Sequence, residues 1–397
     1  MRTIPVLALL MSMPLLAGAQ QPAQYTAETD HYRIVSETSQ SQAEDLAREM
    51  EAALTLYNGL LHFDLSQLPA RLNVKIFKDL DSFNAYVSSV IAQTRSDFVF
   101  IAWSDPAKSE LLCFPKEQKA FTSSLLHQGA IQFLKGFIDN TPLWLREGIA
   151  TYLDQSSYDP RTGSFTFRSN LLWLDGLKSS LRGETPDRPI PFTDLLSFTR
   201  DMAQAQQEVF MQESWGLVQF LAGSQQNEYN RILWDAISSL DPKASLEANS
   251  ARVRKRAFSW VADQKLRDDF EKFTLAMKTA NDLVREGVAL YTRGDLAAAE
   301  QTLNGAVGLQ PDASAGWYYL GLIAYARKDF GKADDLYMKA FQLGANAAVI
   351  NYALGVNAFA AGRNADATKY LKFAKDADPA TYGDKVDALQ KRIDASK

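Results

Sequence analysis

The sequence predicts an α+β N-terminal domain followed by an all-α solenoid of helical repeats. Patterns typical of strands concentrate before residue 115, whereas helical periodicity dominates from Phe121 onward. A 34-residue period then repeats itself after residue 280. Strands that come first, with helices after them, favour an α+β layout over an alternating βαβ one.

Composition and charge narrow the class of protein. The 397 residues are 46% hydrophobic, enough for a large core and for two or three domains. The 42 Lys and Arg residues against 47 Asp and Glu give a formal net charge of −5, so we expect no nucleic-acid partner. One cysteine and three histidines exclude a Cys-rich zinc site, an intrachain disulfide and a multi-His metal cage.

The first residues have the three regions of an export signal. Arg2 is the positive start, the segment 4–16 is apolar but too short for a comfortable membrane span, and small residues precede Gln20. We therefore predict a signal peptide over residues 1–19, cleaved after Ala19; an uncleaved apolar N-terminus is the alternative. Later residues contain no apolar run of membrane length, which predicts an exported protein without a membrane span. We expect a periplasmic location, with secretion as the alternative.

Strands and helices of the N-terminal domain, residues 20–279, follow from periodicity. The predicted strands are Tyr32–Val35, Leu72–Ile76, Phe98–Trp103 and Leu111–Phe114, and the first helices are Ala43–Leu61 and Phe83–Val90. A turn and hairpin signal interrupts the later helices at residues 158–163. Cys113, inside the last of these strands, is interpreted as a small buried hydrophobe.

Two helical segments carry a motif. The first is Leu125-Leu126-His127-Gln128-Gly129-Ala130-Ile131, and the second is Thr141-Pro142-Leu143-Trp144-Leu145-Arg146-Glu147-Gly148-Ile149-Ala150-Thr151-Tyr152. Together they resemble the gluzincin branch of zinc metallopeptidases, the peptidase-MA-like group with a thermolysin-like α+β fold. The later segment 213–221 is similar to the helix that follows in this group. The resemblance covers roughly residues 30 to 240 and implies a zinc site whose first and third ligand positions are His127 and Glu147.

The sequence departs from that pattern at two positions. In the family, an HExxH helix supplies a second zinc-binding histidine and a catalytic glutamate. Ile131 stands at the second histidine position and has no lone pair, while Gln128 replaces the glutamate and cannot act as a base near neutral pH. His31 and His62, the other histidines, are interpreted as structural or surface residues. We therefore predict no catalytic residue and no cofactor, with at most weak zinc binding by His127 and Glu147.

We therefore expect His127 and Glu147 to form a hydrogen bond that joins the two helices. Gly129 is expected to permit close helix packing, because glycine otherwise weakens a helix. The basic run Arg252, Arg254, Lys255 and Arg256 is expected to be a solvated helix face rather than a ligand site.

The repeats occupy residues 280–313, 314–347 and 348–381. Gly287, Gly321 and Gly355 align at the 34-residue period, as do alanines at 299, 333 and 367 and at 306, 340 and 374. This period and pattern resemble the tetratricopeptide repeat (TPR), a helix-turn-helix unit that buries its face only against a neighbour. Residues 382–397 are predicted to form a capping helix with a polar outer face.

The TPR resemblance implies a concave binding groove. Carried over to this sequence, its lining positions are Val284, Val288, Tyr291, Tyr318, Leu322, Tyr325, Tyr352, Val356 and Phe359. These apolar and aromatic residues suit a hydrophobic peptide, a helix, or the N-terminal domain itself. The alternative is that they only pack neighbouring helices.

Two functions follow. The first is an exported, non-catalytic scaffolding protein in which a pseudo-metallopeptidase domain and a TPR module bind proteins or peptides. The second is a zinc-dependent metallopeptidase with an atypical ligand set, which needs a third ligand that the sequence does not reveal.

Overall fold

The computed structural model describes residues 24–186 and 188–395. The chain forms two compact units, Met1–Ser169 with Ile237–Val253 and Asn170–Ala236 with Arg254–Lys397. The predicted signal peptide lies outside the described residues. The predicted domain boundaries, at residues 19, 279 and 381, stay a prediction.

A small sheet in the first unit has the strand order β1-β2-β3-β5-β4. The strands are β1 Tyr25–Glu28, β2 Tyr32–Ser36, β3 Leu72–Ile76, β4 Val99–Ile101 and β5 Glu110–Cys113. β2, β3 and β5 are parallel to one another, whereas β1 and β4 pair antiparallel at the two edges. The register places Ile34 beside Val74 and Ile76 beside Cys113, all of them buried.

The sequence predicted strands first and helices after them, and the parallel strand pairs show that this prediction was wrong for the first unit. Parallel neighbours need a crossover connection, and here a helix lies between β2 and β3 and another between β3 and the β4–β5 pair. This part of the chain therefore has the βαβ connection that the sequence pattern disfavoured. The direction in which strands pair is a long-range property, and local alternation of apolar residues does not encode it.

Helices make up most of the remaining chain up to residue 280. They are α1 Gln40–Leu61, α2 Leu80–Ile91, α3 Gln118–Phe137, α4 Leu143–Leu153, α5 Leu174–Leu181, α6 Phe192–Leu195, α7 Arg200–Ala205, α8 Gln207–Gly223, α9 Asn227–Ser238, α10 Leu246–Val253 and α11 Asp263–Ala276. A short hairpin of β6 Ser157–Asp159 and β7 Ser164–Thr166 follows α4, as the turn signal predicted. Single helical turns occur at Leu65–Gln67, Pro106–Lys108 and Arg254–Phe258.

Local capping explains where the first helices begin. The Ser39 side chain accepts from the Gln42 N–H at the start of α1, and Asp79 and Ser82 form a reciprocal capping box at the start of α2. The predicted apolar face of α1 is buried as expected; it consists of Leu46, Ala47, Met50, Leu54 and Tyr57.

Close packing of α1 on α3 depends on Gly129. A Cβ at this position would lie 2.5 Å from the Tyr57 Oη, a distance that no real contact has. The same hydroxyl donates a hydrogen bond of 3.1 Å to the Leu126 carbonyl, so the Tyr57 side chain of α1 lies directly against the backbone of α3. The packing role predicted for Gly129 is confirmed.

Stacked helices form the C-terminal region, which the 34-residue period predicted. They are α12 Ala280–Thr292, α13 Leu296–Leu309, α14 Ser314–Ala326, α15 Phe330–Gln342, α16 Ala347–Ala360, α17 Asn364–Ala377 and α18 Pro379–Asp394. The six aligned alanines are fully buried. A Cβ on Gly287, Gly321 or Gly355 would lie 2.5–2.7 Å from a side chain of the second helix in the same repeat. α18 buries Val386, Leu389 and Ile393, the face predicted for a capping helix.

Candidate functional site

Helices α3 and α4 bring His127 between two carboxylates. Nε2 of His127 lies 3.4 Å from Oε2 of Glu147, and Nδ1 lies 3.5 Å from Oδ2 of Asp154. Glu147 lies in the middle of α4, while Asp154 caps its C-terminal end. The three side chains are only 11–19% exposed. We call His127, Glu147 and Asp154 the histidine clamp. The contact with Glu147 was expected from sequence, but the contact with Asp154 was not.

The clamp favours a protonated imidazole. Burial by itself opposes the charge on His127, but the hydrogen bonds to Asp154 and Glu147 outweigh it and raise the pKa to about 9. Burial also opposes the charge on Glu147, yet the bond to His127 and the neighbouring Arg146 guanidinium lower its pKa to about 2. Arg146 donates from Nε to Glu147 Oε1 at 2.8 Å. The four ionised groups alternate in sign and sum to zero.

Gln128 has a structural partner that sequence reasoning missed. Its Oε1 accepts the backbone N–H of Phe100 at 3.2 Å. Phe100 lies in β4, an edge strand of the sheet, where an outward N–H needs an acceptor. The Gln128 side chain therefore ties α3 to the sheet edge. The signal that could have revealed this contact, a lone polar residue facing a strand from a helix, is not visible without tertiary structure.

The donors at the clamp do not fit a three-ligand zinc site. An ion bonded to two atoms at ~2.1 Å in tetrahedral geometry would hold them ~3.4 Å apart, which is the separation of His127 Nε2 and Glu147 Oε2. A third metal-binding atom is missing. Ile131 has no lone pair, and Asp154 lies at Nδ1 of His127, on the other side of the ring from Glu147. Among residues 24–186 and 188–395, no group of three or more His, Cys, Asp or Glu side chains is arranged to hold a metal.

The other predicted single residues lie apart in the sequence and have partners of their own. His31 precedes β2, and its Nδ1 lies 2.5 Å from Glu51 Oε1 on α1. His62 caps the C-terminal end of α1 in the left-handed conformation, with φ 49°. Cys113 is fully buried in β5, and its thiol donates to the Lys75 carbonyl, which confirms the interpretation as a buried hydrophobe.

The basic run is exposed, as predicted. Arg254, Lys255 and Arg256 lie on the single π-helical turn, which buries Ala257 and Phe258 instead. Arg252 is also exposed, and its Nη2 lies 3.1 Å from Asp241 Oδ2.

The second unit holds a buried ion pair that the sequence did not single out as such. Glu213 on α8 is fully buried, and Nη1 and Nη2 of Arg267 on α11 lie 3.1 and 3.3 Å from its two oxygens. The guanidinium also lies over the rings of Phe192 and Phe270. Burial raises the pKa of Glu213 despite the Arg267 charge. Because both oxygens face one planar fork, the pair fixes α11 against α8.

The nine predicted groove positions lie on the first helices of the three repeats, α12, α14 and α16, and all nine are half-buried. Those of the third repeat pack against the cluster that contains the buried face of α18. The Tyr382 ring of α18 lies 4.9 Å from that of Tyr352, and the Arg392 guanidinium lies 5.6 Å from that of Phe359. Positions of the first two repeats also pack against buried clusters, Val284 and Tyr291 against one and Tyr318, Leu322 and Tyr325 against another. Packing between helices therefore occupies part of the predicted surface in all three repeats.

Comparisons with known proteins find similarity over about a third of the chain or less. Residues 125–242 match the model of a family described as a protein of unknown function (DUF1570), a range that contains the whole histidine clamp. A search of curated proteins finds no match. A solved structure described as a CopN-Scc3 complex is similar at 18% identity over 32% of this chain and 74% of that one, with a TM-score of 0.26. A TM-score of 0.26 does not indicate a shared fold. The gluzincin resemblance stays a prediction.

None of the described helices is long and apolar enough to cross a membrane.

Proposed function

We propose that this chain is an exported, non-catalytic protein that binds proteins or peptides, with a pseudo-metallopeptidase domain and a TPR module. The observation that carries the proposal is the histidine clamp. Both ring nitrogens of His127 face carboxylates of the same chain, so each nitrogen already has a partner. The clamp is suited to fastening α3 to α4.

Gln128, at the position of the general base in gluzincins, also supports a non-catalytic protein. Gln128 already uses its carbonyl oxygen for the Phe100 N–H. A carboxamide neither takes up a proton near neutral pH nor leaves this contact without exposing an unpaired edge amide. A scaffold of this kind can retain a cleft for recognition after hydrolysis has been lost.

The binding function rests on the repeats. Their first helices carry half-buried apolar and aromatic residues, among them Tyr291, Tyr318 and Leu322, on the face that TPR proteins use for recognition. Each of these side chains packs in part against a buried cluster, and the fraction that stays exposed is the surface that a ligand would contact. An extended or helical peptide with apolar side chains would complement it.

Export is part of the proposal because of the pattern of residues 1–19. Mass spectrometry of the protein purified from cells would show whether the mature chain starts at Gln20. Recovery of the intact chain from the cytoplasmic fraction would contradict this part of the proposal.

A metallopeptidase with an atypical ligand set is the second candidate. The 3.4 Å separation between His127 Nε2 and Glu147 Oε2 favours it, because it is longer than most hydrogen bonds and fits two ligands of one ion. Such a site would need a further donor in place of Ile131.

Metal content and peptidase activity of the purified chain decide between the two. We expect less than stoichiometric zinc and no cleavage of a peptide library by the wild type. The double variant Gln128→Glu, Ile131→His should gain zinc affinity at least tenfold, with Ile131→Leu as the matched control. Stoichiometric zinc together with cleavage that His127→Ala abolishes would refute the non-catalytic proposal.

The groove is tested separately, by cross-linking the full chain to its neighbours in the cell envelope. Tyr318→Ser with Leu322→Ser should remove the cross-linked species. Leu309→Ser, a change of an exposed residue on α13, should leave them unchanged. Equal cross-linking by all three proteins would contradict a role for the groove.

A further inference from the structure

The groove positions of the first two repeats form an uncharged surface. α14 and α16 contain no Asp, Glu, Lys, Arg or His, although both contribute half-buried side chains to the predicted groove. In α12, Oδ2 of Asp282 lies 3.5 Å from Nζ of Lys178, and its other oxygen contacts Arg285. Glu286 of the same helix is paired with Lys278. A charged segment placed on this surface would lose water and gain no counterion, so the surface complements an uncharged ligand.

Tyrosine hydroxyls are the polar groups of this surface. Tyr291, Tyr318 and Tyr325 are half-buried, which leaves part of each side chain open to a ligand. None of the three hydroxyls forms a hydrogen bond with any of residues 24–186 or 188–395. Burial raises the pKa of Tyr318, and the nearby hydroxyls of Tyr382 and Tyr291 contribute to the rise, so different helices bring these groups close together. Each hydroxyl has one hydrogen to donate to a ligand.

The groove positions recur at the period of the array. Equivalent positions are 34 residues apart and form two rows that contain the tyrosines: Val284, Tyr318 and Tyr352 in one, and Tyr291, Tyr325 and Phe359 in the other. Neighbouring first helices are in contact, since Leu322 of α14 packs against the cluster that holds Ile350 of α16. Packed helices lie about 8–10 Å apart. A polyproline II helix advances about 9.3 Å per turn of three residues, so one turn matches one repeat.

The hydroxyls without partners distinguish between classes of peptide. A helical ligand uses its backbone carbonyls for its own hydrogen bonds and offers the tyrosine hydroxyls no backbone acceptor. A polyproline II segment has no internal hydrogen bonds, so its carbonyls are free to accept. Proline also lacks a backbone N–H, so burying it against Val288 and Leu322 leaves no unpaired donor.

We propose that the groove of the first two repeats binds an uncharged, proline-rich segment of a partner protein in the polyproline II conformation. The proline rings pack against Leu322 and the tyrosine rings, and the carbonyls accept hydrogen bonds from the hydroxyls of Tyr291, Tyr318 and Tyr325. Because proline pre-sets this conformation, binding loses little backbone entropy. The inference rests on the proposed peptide-binding function of the same groove and names the class of its ligand.

Binding of decaproline to the full chain tests the ligand class. The probe is acetylated L-decaproline amide, which carries no charge, measured by isothermal titration calorimetry. The control is the same peptide built from D-proline, which has the same composition but forms a helix of the opposite hand. We expect the L-peptide to bind at least tenfold more tightly. Equal affinity of the two peptides, or no binding of the L-peptide at millimolar concentration, would overturn the proposal.

Removal of single hydroxyls locates the site. Tyr318→Phe and Tyr325→Phe each keep the ring and remove one donor, so each should weaken binding of L-decaproline at least threefold. Tyr370→Phe is the matched control, because it removes a half-buried hydroxyl on α17, a second helix, and should leave the affinity unchanged. An equal loss in all three variants would contradict the assignment to the groove. An unchanged thermal midpoint, followed by circular dichroism, shows that each variant is folded.

Failure of this inference is distinguishable from failure of the proposed function. An uncharged helical peptide that binds at least tenfold more tightly than L-decaproline would overturn the polyproline II assignment. If L-decaproline does not bind but Tyr318→Ser with Leu322→Ser still removes the cross-linked species, only the ligand class falls. If Tyr318→Phe weakens L-decaproline while the groove variants leave cross-linking in the cell envelope unchanged, the site stands and the proposed role of the groove in the cell falls.

Discussion

Replacing His127 by alanine tests the clamp most directly. The substitution leaves Glu147 and Asp154 as buried carboxylates with side chains 14% and 11% exposed. Removing one partner of a buried ion pair costs about 3–5 kcal/mol. Glu147 keeps its bond from Arg146, and Asp154 keeps the hydrogen bond from Gln155 Nε2, so part of the charge stays compensated. We therefore expect the free energy of unfolding of the first unit to fall by about 3 kcal/mol, at the low end of that range.

The stability that the histidine clamp contributes should depend on pH in a definite direction. Because the folded pKa of His127 is raised from 6.5 to about 9, its contribution to stability is complete below pH 6.5 and is lost as the pH rises through 9. Glu147, whose pKa is lowered from 4.5 to about 2, contributes above pH 4.5 and loses that contribution as the pH falls toward 2. The wild type should thus exceed His127→Ala most between pH 5 and 6.5.

Hydrogen exchange measured by mass spectrometry is the suitable assay, because it reports opening of α3 and α4 without requiring the whole chain to unfold in one step. His62→Asn is the matched control: it removes an exposed imidazole at a left-handed position that asparagine tolerates, and should change stability by less than about 0.5 kcal/mol. A His127 ring that titrates at or below 6.5 by NMR, or a loss of under about 1 kcal/mol in His127→Ala, would refute the ion-pair reasoning.

Two predictions concern glycines at helix contacts. Gly321→Ala would place a Cβ 2.5 Å from the buried Tyr337 ring, so the free energy of opening of α14 and α15, measured by hydrogen exchange, should fall by about 1–3 kcal/mol. Gly308→Ala is the control: a Cβ there meets open space, so the stability of α13 should rise by up to about 1 kcal/mol. Equal effects of the two substitutions would contradict the packing argument. Gly129→Ala should destabilise α3 by a similar ~1–3 kcal/mol, and Tyr57→Phe in the same chain should restore part of the loss, as a denaturant titration would show. No rescue would mean that backbone contacts, not the hydroxyl, limit the space.

Local sequence patterns were sufficient wherever structure is set within one element or one repeat. The buried face of α1, the hairpin after α4 and the stacked helices after residue 280 all follow from spacing, since a helix face or a repeat contact recurs at a fixed interval. The pairing of His127 with Glu147 was instead expected from the resemblance of their two helices to the gluzincin motif, and not from periodicity.

Local sequence patterns could not predict contacts between residues that are distant in the sequence. The acceptor role of Gln128 depends on β4 arriving beside α3, and the parallel direction of β2, β3 and β5 depends on crossovers that no single strand encodes. The approach of Tyr382 on α18 to Tyr318 likewise depends on how successive repeats stack. None of these pairs has a fixed spacing along the chain.

By itself, the sequence determined which bonds each residue can form: Ile131 has no lone pair for a metal, and Gln128 is not a base near neutral pH, in any fold. Only the tertiary structure decided what the remaining groups do. It set Asp154 on the second nitrogen of His127, gave Gln128 an edge amide to bind, and brought tyrosine hydroxyls of different helices close together. The physical reason is that bonding capacity belongs to the residue, whereas burial and partners belong to the fold.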